Sequence, residues 1–277
     1  MINDGDMKEL ATSMNVFFQQ VTAYLLESFD ESWILERITS KLDDHQYGAL
    51  KRRSTTHAFI DMMHHWVNAV DKGQSVHTVF IDFTKAFDRV DHNILVAKMR
   101  ALDLPDVITC WMCSFLRHRR QQVVIGDVMS DWVQMVAGMP QGSYLGPLTF
   151  VIPIDALHPI CMTRKFIDDT TMTKITNRSD ISCMQSSIDE LVHRTSEIGM
   201  QVNIKKTKEM FISSTLKDPP PSVTLSGETV ETVAIFNSLG VHVSNNLKWA
   251  QHIQAISAKR CIKTVLLEVT ETCWRWN

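Results

Sequence analysis

Two adjacent aspartates at the bend between two strand-forming runs constrain this chain more than any other feature. They lie in Lys165-Phe166-Ile167-Asp168-Asp169-Thr170-Thr171-Met172. Met162 to Ile167 on one side and Thr170 to Ile175 on the other favour extended backbone, so the run reads as a β-hairpin with acid at its turn. Carboxylates this close repel, and at least one resists ionisation unless a cation holds both. A hard divalent ion with oxygen ligands is the simplest such cation. Taken alone, the pair reads more readily as an ordinary turn, which Asp suits well.

A third carboxylate stands upstream. Val76 to Phe83 has the pattern of a short buried strand, with Asp82 near its C-terminal end. Asp91 then suits the N-cap of a helix whose apolar residues Ile94, Leu95, Met99 and Leu102 fall at helical spacing. A carboxylate at a strand end beside an Asp-bearing hairpin is the arrangement of a two-metal site, with ions roughly 3.5–4 Å apart. A helix-capping or loop aspartate is the other reading of Asp82. Ala137 to Leu148 is the third element: three of the chain's ten glycines fall within nine residues there, with two prolines. Glycine allows close backbone approach and proline stiffens the loop. It suits holding a nucleotide or template base, with Gln141 offering an amide, or simply making a structural turn. No Gly-Lys-Ser/Thr follows, so it is not a phosphate-binding P-loop. The next segment, Leu145 to Leu157, has helical composition.

Taken in order, these segments and their flanks resemble the reverse transcriptase domain of non-LTR (LINE-type) retrotransposons. The matching runs are Gln46-Tyr-Gly with Arg53-Ser-Thr-Thr-His-Ala, Phe80-Ile-Asp-Phe-Thr-Lys-Ala-Phe-Asp-Arg-Val-Asp-His, Gly138-Met-Pro-Gln-Gly-Ser-Tyr-Leu-Gly-Pro-Leu, Phe166-Ile-Asp-Asp, Asn203-Ile-Lys-Lys-Thr-Lys, and Leu239-Gly-Val-His-Val with Leu247-Lys-Trp. Their order matches the family's successive motifs, over roughly residues 33 to 260.

The resemblance implies an RNA-directed DNA polymerase, a nucleotidyltransferase that extends a primer 3′-hydroxyl with dNTPs. Asp82, Asp168 and Asp169 would bind two Mg²⁺ ions, with Mn²⁺ as a substitute and the backbone carbonyl of Phe83 assisting. Phe87 matches the steric gate that excludes a ribose 2′-hydroxyl. Gln141 and Gly142 would contact the incoming nucleotide and template. Lys206 matches the lysine that protonates the leaving group, with Lys205 and Lys208 as alternatives. Leu239 and Gly240 would belong to the primer grip. Arg53, with Arg52, lies where the fingers approach template or triphosphate, though a solvated basic turn explains both equally. The implied partners are an RNA template, a DNA primer and dNTPs, with no membrane and no evident protein partner, inside the cell in nucleus or cytoplasm.

Composition sets outer bounds. A chain of 277 residues can bury a sizeable core. Its formal net charge of -3 lacks the global basic field of a nonspecific nucleic-acid binder, while still allowing a polymerase with local basic grooves. Arg117-His118-Arg119-Arg120 is the densest basic run, either a nucleic-acid contact or an exposed helix end. Cys110 and Cys113 have CxxC spacing with no second pair at zinc-site distance, so buried thiols are expected. His57, His64 and His65 decorate a helix, and the methionines serve as core filler. The apolar stretch Val16 to Leu26 is interrupted by Gln19 and Gln20, which excludes a signal peptide or membrane span there.

The expected fold is α+β, a right-hand polymerase palm (βαββαβ) with partial fingers and an incomplete thumb. Residues 1–75 would form the partial fingers, 76–247 the palm and 248–277 the start of the thumb, with part of 110–136 assignable to the fingers. Helices are expected over 7–28 and 33–42, and again over Ile181 to Ile198, capped by Asp180 and Gly199. A strand should run through Val202–Ile204 or resume at Met210–Ile212. Pro219-Pro220-Pro221 marks a surface loop. Val223–Leu225 and Thr229–Val233 flank a Ser226-Gly227 hairpin, and Trp249, Ile253 and Ile256 begin a final helix. Several departures from the family pattern stand out. Only 45 residues precede Gln46, without the family's basic grip. Ile167 replaces a smaller residue before the aspartates. Pro153 falls inside a helix, where it removes an amide and threatens a kink. The chain therefore reads as a shortened copy, with an inactive remnant that binds nucleic acid weakly as the alternative; a metal-dependent nuclease would leave Phe87 and the glycine loop unused.

Overall fold

The computed structural model describes residues 40–139, 145–159, 161–177, 184–212 and 220–258, without the side chains of 145–149. The helix expected over 7–28, most of that over 33–42, Gln141, Gly142, Asp180, Ile181 and Pro219 lie outside the described residues. The elements follow in chain order. Helix α1 (Thr55–Asp71) leads into strand β1 (Ser75–Ile81), a 3₁₀ turn (Ala86–Arg89), α2 (His92–Ala101) and α3 (Asp106–Leu116). Four two-residue strands follow: β2 (Arg120–Gln121), β3 (Val124–Ile125), β4 (Val128–Met129) and β5 (Val133–Gln134). Then come α4 (Leu145–Asp155), β6 (Met162–Phe166), β7 (Asp169–Thr176), α5 (Met184–Glu197) and β8 (Lys208–Ile212). Short strands follow: β9 (Thr224–Leu225), β10 (Glu228–Thr229), β11 (Glu231–Thr232), β12 (Ile235–Ser238) and β13 (Val241–Ser244), before helical residues over 250–258.

The central sheet has the order β11-β8-β1-β7-β6. β1 is antiparallel to both β7 and β8, and β6 is antiparallel to β7. Strand, helices, hairpin, helix, strand is the expected βαββαβ arrangement, with the first strand at the centre. Every residue of β1 is buried because helices cover both faces. Val76 and Phe80 face Met62 and Trp66 of α1, while Val79 and Ile81 face the cluster that contains Leu95, Phe150, Ile188 and Leu191. That alternation follows from the two-residue period of a strand. Each large side chain so buried contributes about 1.5–3 kcal/mol, and the indole of Trp66 also donates to Thr173 Oγ1 at 3.2 Å.

Local signals set the helix ends. The Ser54 side chain caps α1 by accepting from the His57 amide, and Asp91 caps α2 by accepting from the Asn93 and Ile94 amides. α4 runs through Pro153 and ends two residues later, where the lost amide falls in the last turn and breaks nothing beyond it. β8 begins at Lys208; Val202 makes only an isolated bridge to Phe83. Ser226 and Gly227 both take positive φ (51° and 85°), the turn expected between β9 and β10. The thiols depart from expectation: Cys110 is exposed and Cys113 half-buried. α3 turns Ile108, Thr109, Met112 and Leu116 inward, so Cys110 falls on its outer face. Among the described residues no helix is long and apolar enough to cross a membrane.

Candidate active site

The paired aspartates straddle the end of a two-residue turn. Phe166 pairs with Asp169 across the hairpin, leaving Ile167 and Asp168 at the bend and Asp169 as the first residue of β7. Ile167 takes φ 59°, a left-handed conformation costly for a β-branched residue. Since Ile81 pairs with Thr170, Asp82, one residue past β1, comes level with Asp169. Asp82 is fixed from the other side. Its amide donates to Thr207 Oγ1 at 3.3 Å, and its carbonyl accepts from Asn203 at 2.7 Å. The Thr84 amide donates to Gln201 at 2.8 Å. In such an antiparallel pair the intervening residue turns its own amide and carbonyl the opposite way. The Phe83 carbonyl therefore points toward the hairpin side.

Electrostatics register the crowding. Burial, then the charges of Asp168 and Asp82, push the Asp169 carboxyl up to about 6. Asp168 is raised as well, by burial and by Asp82, against a backbone hydrogen bond that lowers it. Among the described residues, Asp82 Oδ2 is buried with no hydrogen-bond partner, and the Lys206 ammonium lies 4.0 Å away on a largely exposed side chain. The three carboxylates form an all-oxygen donor set with an orphaned buried oxygen, which fits a hard divalent ion. In this arrangement they are not yet gathered as a metal site: among the described residues no group of three or more His, Cys, Asp or Glu is placed to hold a metal ion.

An open cleft joins Asp82 and Asp169 to β12. It is lined by Asp82, Asp169, Thr170, Lys206, Asn237 and Leu239, among others. Lys206 is the lysine of its run that faces the cleft. Lys208 is held by the Glu231 carboxylate at 2.7 Å and the Lys205 carbonyl at 2.6 Å. Phe87 lies on the 3₁₀ turn after Asp82, stacked on buried Phe150 with ring centroids 4.6 Å apart. The stem of the glycine loop is tied beneath that turn: Gly138 donates to Val90 at 2.9 Å and Met139 to Phe87 at 2.8 Å. Gly138 takes φ 87°, and a Cβ there would lie 2.9 Å from the Asp88 carbonyl oxygen, so only glycine fits.

Arg53 stands apart from the cleft. Its guanidinium donates to the carbonyls of Asp43, Asp44 and Gln46, and lies 5.9 Å from the Tyr47 ring centre. These contacts make it a clip for the 43–47 turn. Sequence reasoning missed the ionic scaffold behind the hairpin. Arg164, on β6, is buried and pairs with Asp61 of α1. Its neighbour Lys165 has no exposed side-chain surface and lies 3.2 Å from Asp43 Oδ2, while donating to the Asp155 carbonyl at 3.1 Å. The available signal was two adjacent cations inside a strand otherwise made for burial, which must find partners.

A family model described as "Reverse transcriptase (RNA-dependent DNA polymerase)" matches residues 31–243. The chain is similar to the probable RNA-directed DNA polymerase from transposon BS of Drosophila melanogaster, 28% identical over 233 residues, covering 79% of this chain and 26% of that protein. It is also similar to the probable RNA-directed DNA polymerase from transposon X-element of the same species, 27% identical over 260 residues, covering 90% of this chain and 28% of that protein. The chain thus spans about a quarter of the length of these relatives. Among solved structures, apo telomerase from Candida Tropicalis matches with a TM-score of 0.54 at 12% identity, covering 89% of this chain and 43% of that one. That likeness concerns the fold alone.

Proposed function

Since the chain belongs to the reverse transcriptase (RNA-dependent DNA polymerase) family, in its non-LTR, LINE-type branch, we propose that it extends a primer 3′-hydroxyl with dNTPs on an RNA template. The observation that carries this reading is the meeting of Asp82 with Asp168 and Asp169 at one end of the sheet, beside an open cleft. These three carboxylates would hold two divalent ions, Mg²⁺ or Mn²⁺ in its place, assisted by the Phe83 carbonyl. The chemistry supplied there is activation of the primer hydroxyl and neutralisation of the departing pyrophosphate.

The chain's own groups do the rest. Asp82 and Asp169 face each other across β1 and β7, so a primer end between them is fixed by two strands of the same sheet. Lys206, on the Asn203–Thr207 turn, is free to swing from Asp82 toward a leaving phosphate and donate its proton. Phe87, braced by Phe150, would fill the space of a ribose 2′-hydroxyl. Gln141 and Gly142 would contact nucleotide and template from the glycine loop, whose stem is tied to the turn that carries Phe87. Arg53 we leave to the 43–47 turn, since three carbonyls already occupy it. Residues 76–247 would form the palm, with α1 resting on its sheet, the arm from β2 to β5 and the rest of 1–75 in the fingers, and 248–277 opening the thumb.

The test is extension of oligo(dT) on poly(rA) by the purified 277-residue chain with dTTP. Short, divalent-dependent products at most are expected, and they should disappear in Asp168→Asn. Equal extension by the Asp168→Asn chain would overturn the assignment of that carboxylate.

A further inference from the structure

We infer that Gln46, Tyr47 and Gly48 form a clasp that imposes the conformation of the Ile167–Asp168 turn, and are thereby positioning residues for the paired carboxylates. The inference rests on the function proposed above and gives a role to residues which that function leaves idle. Residues 45–47 run beside β6 as an added strand: the Tyr47 amide donates to the Lys165 carbonyl at 2.8 Å and the Lys165 amide to the His45 carbonyl at 3.0 Å. From there the Gln46 side chain reaches the turn. Its Oε1 accepts from the Gly48 amide at 2.9 Å and from the Ile167 amide at 3.4 Å.

Gln46 is wholly buried, and its Nε2 has no partner. A buried amide with an unsatisfied donor is costly, so a residue needed only to fill space would be better apolar. Gly48 closes the clasp by contact. A Cβ there would collide with the Ile167 nitrogen and lie 2.9 Å from the Phe166 carbonyl carbon. Ile167 is the residue with φ 59°, which a β-branched side chain holds only where surrounding structure dictates it. The clasp can dictate it because it is itself anchored. Asp43 is paired with Lys165, its amide donates to Asp155 Oδ1 at 2.8 Å, and Arg53 gathers three carbonyls of the same turn. Release of the clasp would let Ile167 relax toward negative φ, and Asp168, the next residue, would swing with it.

Hydrogen–deuterium exchange and Mn²⁺ binding followed by electron paramagnetic resonance test this without polymerase activity. Gln46→Met keeps the volume and removes the acceptor. It should speed exchange at 166–169 by about tenfold or more while β1 and β8 stay protected, and weaken Mn²⁺ binding by about 10–100-fold. Gly48→Ala, which keeps Gln46 and pushes on Ile167, should give the same local signature. Adding Ile167→Gly to Gln46→Met should restore much of the Mn²⁺ affinity, because glycine adopts positive φ without help. Unchanged exchange at 166–169 in both single variants would overturn the clasp. So would a uniform loss of protection across the sheet that Ile167→Gly does not repair. If the unsubstituted chain binds no Mn²⁺, the metal role of the carboxylates fails, and the exchange pattern alone still judges the clasp.

Discussion

Along β6, Arg164 and Lys165 are buried on opposite faces of the sheet, each met by a carboxylate from another element: Asp61 of α1 for one, Asp43 for the other. At the adjoining ends of β1 and β7, Asp82, Asp168 and Asp169 gather where, among the described residues, Lys206 at 4.0 Å from Asp82 is the one cation in reach. The carboxyl groups that pair with the β6 cations and those at the cleft respond in opposite directions, while Asp155, which accepts the Asp43 amide, is raised by burial. Burial alone would raise Asp43 and Asp61, but the His45 amide and Lys165 hold Asp43 below its ordinary value, and Arg164 does the same for Asp61. At the cleft, burial and mutual repulsion raise both Asp168 and Asp169. The fold neutralises charge where charge joins elements together. It leaves charge unmatched where something else must complete it, the pattern expected of a site rather than a scaffold.

The comparison breaks first, if it breaks, on activity against stability. Asp82→Asn or Asp168→Asn should reduce primer extension to background while leaving the melting temperature unchanged or raised, because each removes a repelling charge. A fall in melting temperature comparable to that of a scaffold variant would place these aspartates in the scaffold.

Lys165→Met is the matching cut on the other side. Removing one member of a buried pair leaves Asp43 with only His45 and His158 beside it, a loss of up to about 3–5 kcal/mol, read as a lower urea midpoint. Lys165→Met combined with Asp43→Asn should recover much of that loss, since no buried charge is then stranded. A single variant as stable as the parent would show that water reaches the pair.

A smaller effect is expected at Phe87. Phe87→Ala should raise ribonucleotide incorporation relative to dNTP by up to about 10²-fold, the scale at which an apolar pocket rejects an added hydroxyl. Its ring also stacks on Phe150, so the variant should lose some stability too. An unchanged sugar ratio in an active variant would assign Phe87 to packing alone.

Much of the cleft was legible because its signals are local. The Asp168-Asp169 hairpin, the strand before Asp82 and the Asp91 cap each announce themselves within about ten residues. The scaffold was not, because its pairings are long-range. Asp61 reaches Arg164 across 103 positions, and Gln46 reaches Ile167 across 121. No periodicity encodes such a meeting. Arg53 illustrates the same limit: its sequence context reads either as a contact to template or triphosphate or as a solvated basic turn, and neither reading includes the three backbone carbonyls that it binds. Cys110 misled for the opposite reason, since the apolar composition of α3 hid which face points outward.

The last and smallest effect separates the two regions by pH. A carboxyl raised in the folded state binds its proton at a pH where the unfolded chain has lost it, so it adds stability on acidification; one that is lowered does the reverse. As pH falls from about 7 to about 5, Asp169, titrating at about 6, takes up a proton that its unfolded counterpart, near 4, does not. Stability should therefore rise slightly. Although the Asp169 carboxyl is partly desolvated, the residue as a whole stays exposed, and solvent screening keeps the gain to about one to three degrees in melting temperature. Below about pH 4, Asp43, Asp61 and Glu209, all lowered, lose the ionised forms that bind Lys165, Arg164 and His77, and stability should fall. Thermal melts across this range should show a shallow maximum near pH 5. Asp169→Asn should shrink the rise and keep the fall, since Asp168 stays raised by burial and by Asp82, and Mg²⁺ should flatten the rise by stabilising the ionised carboxylates at pH 7 more than at pH 5. A profile unchanged by both would mean that the cleft charges are already compensated in the folded chain, and the contrast with β6 would fail.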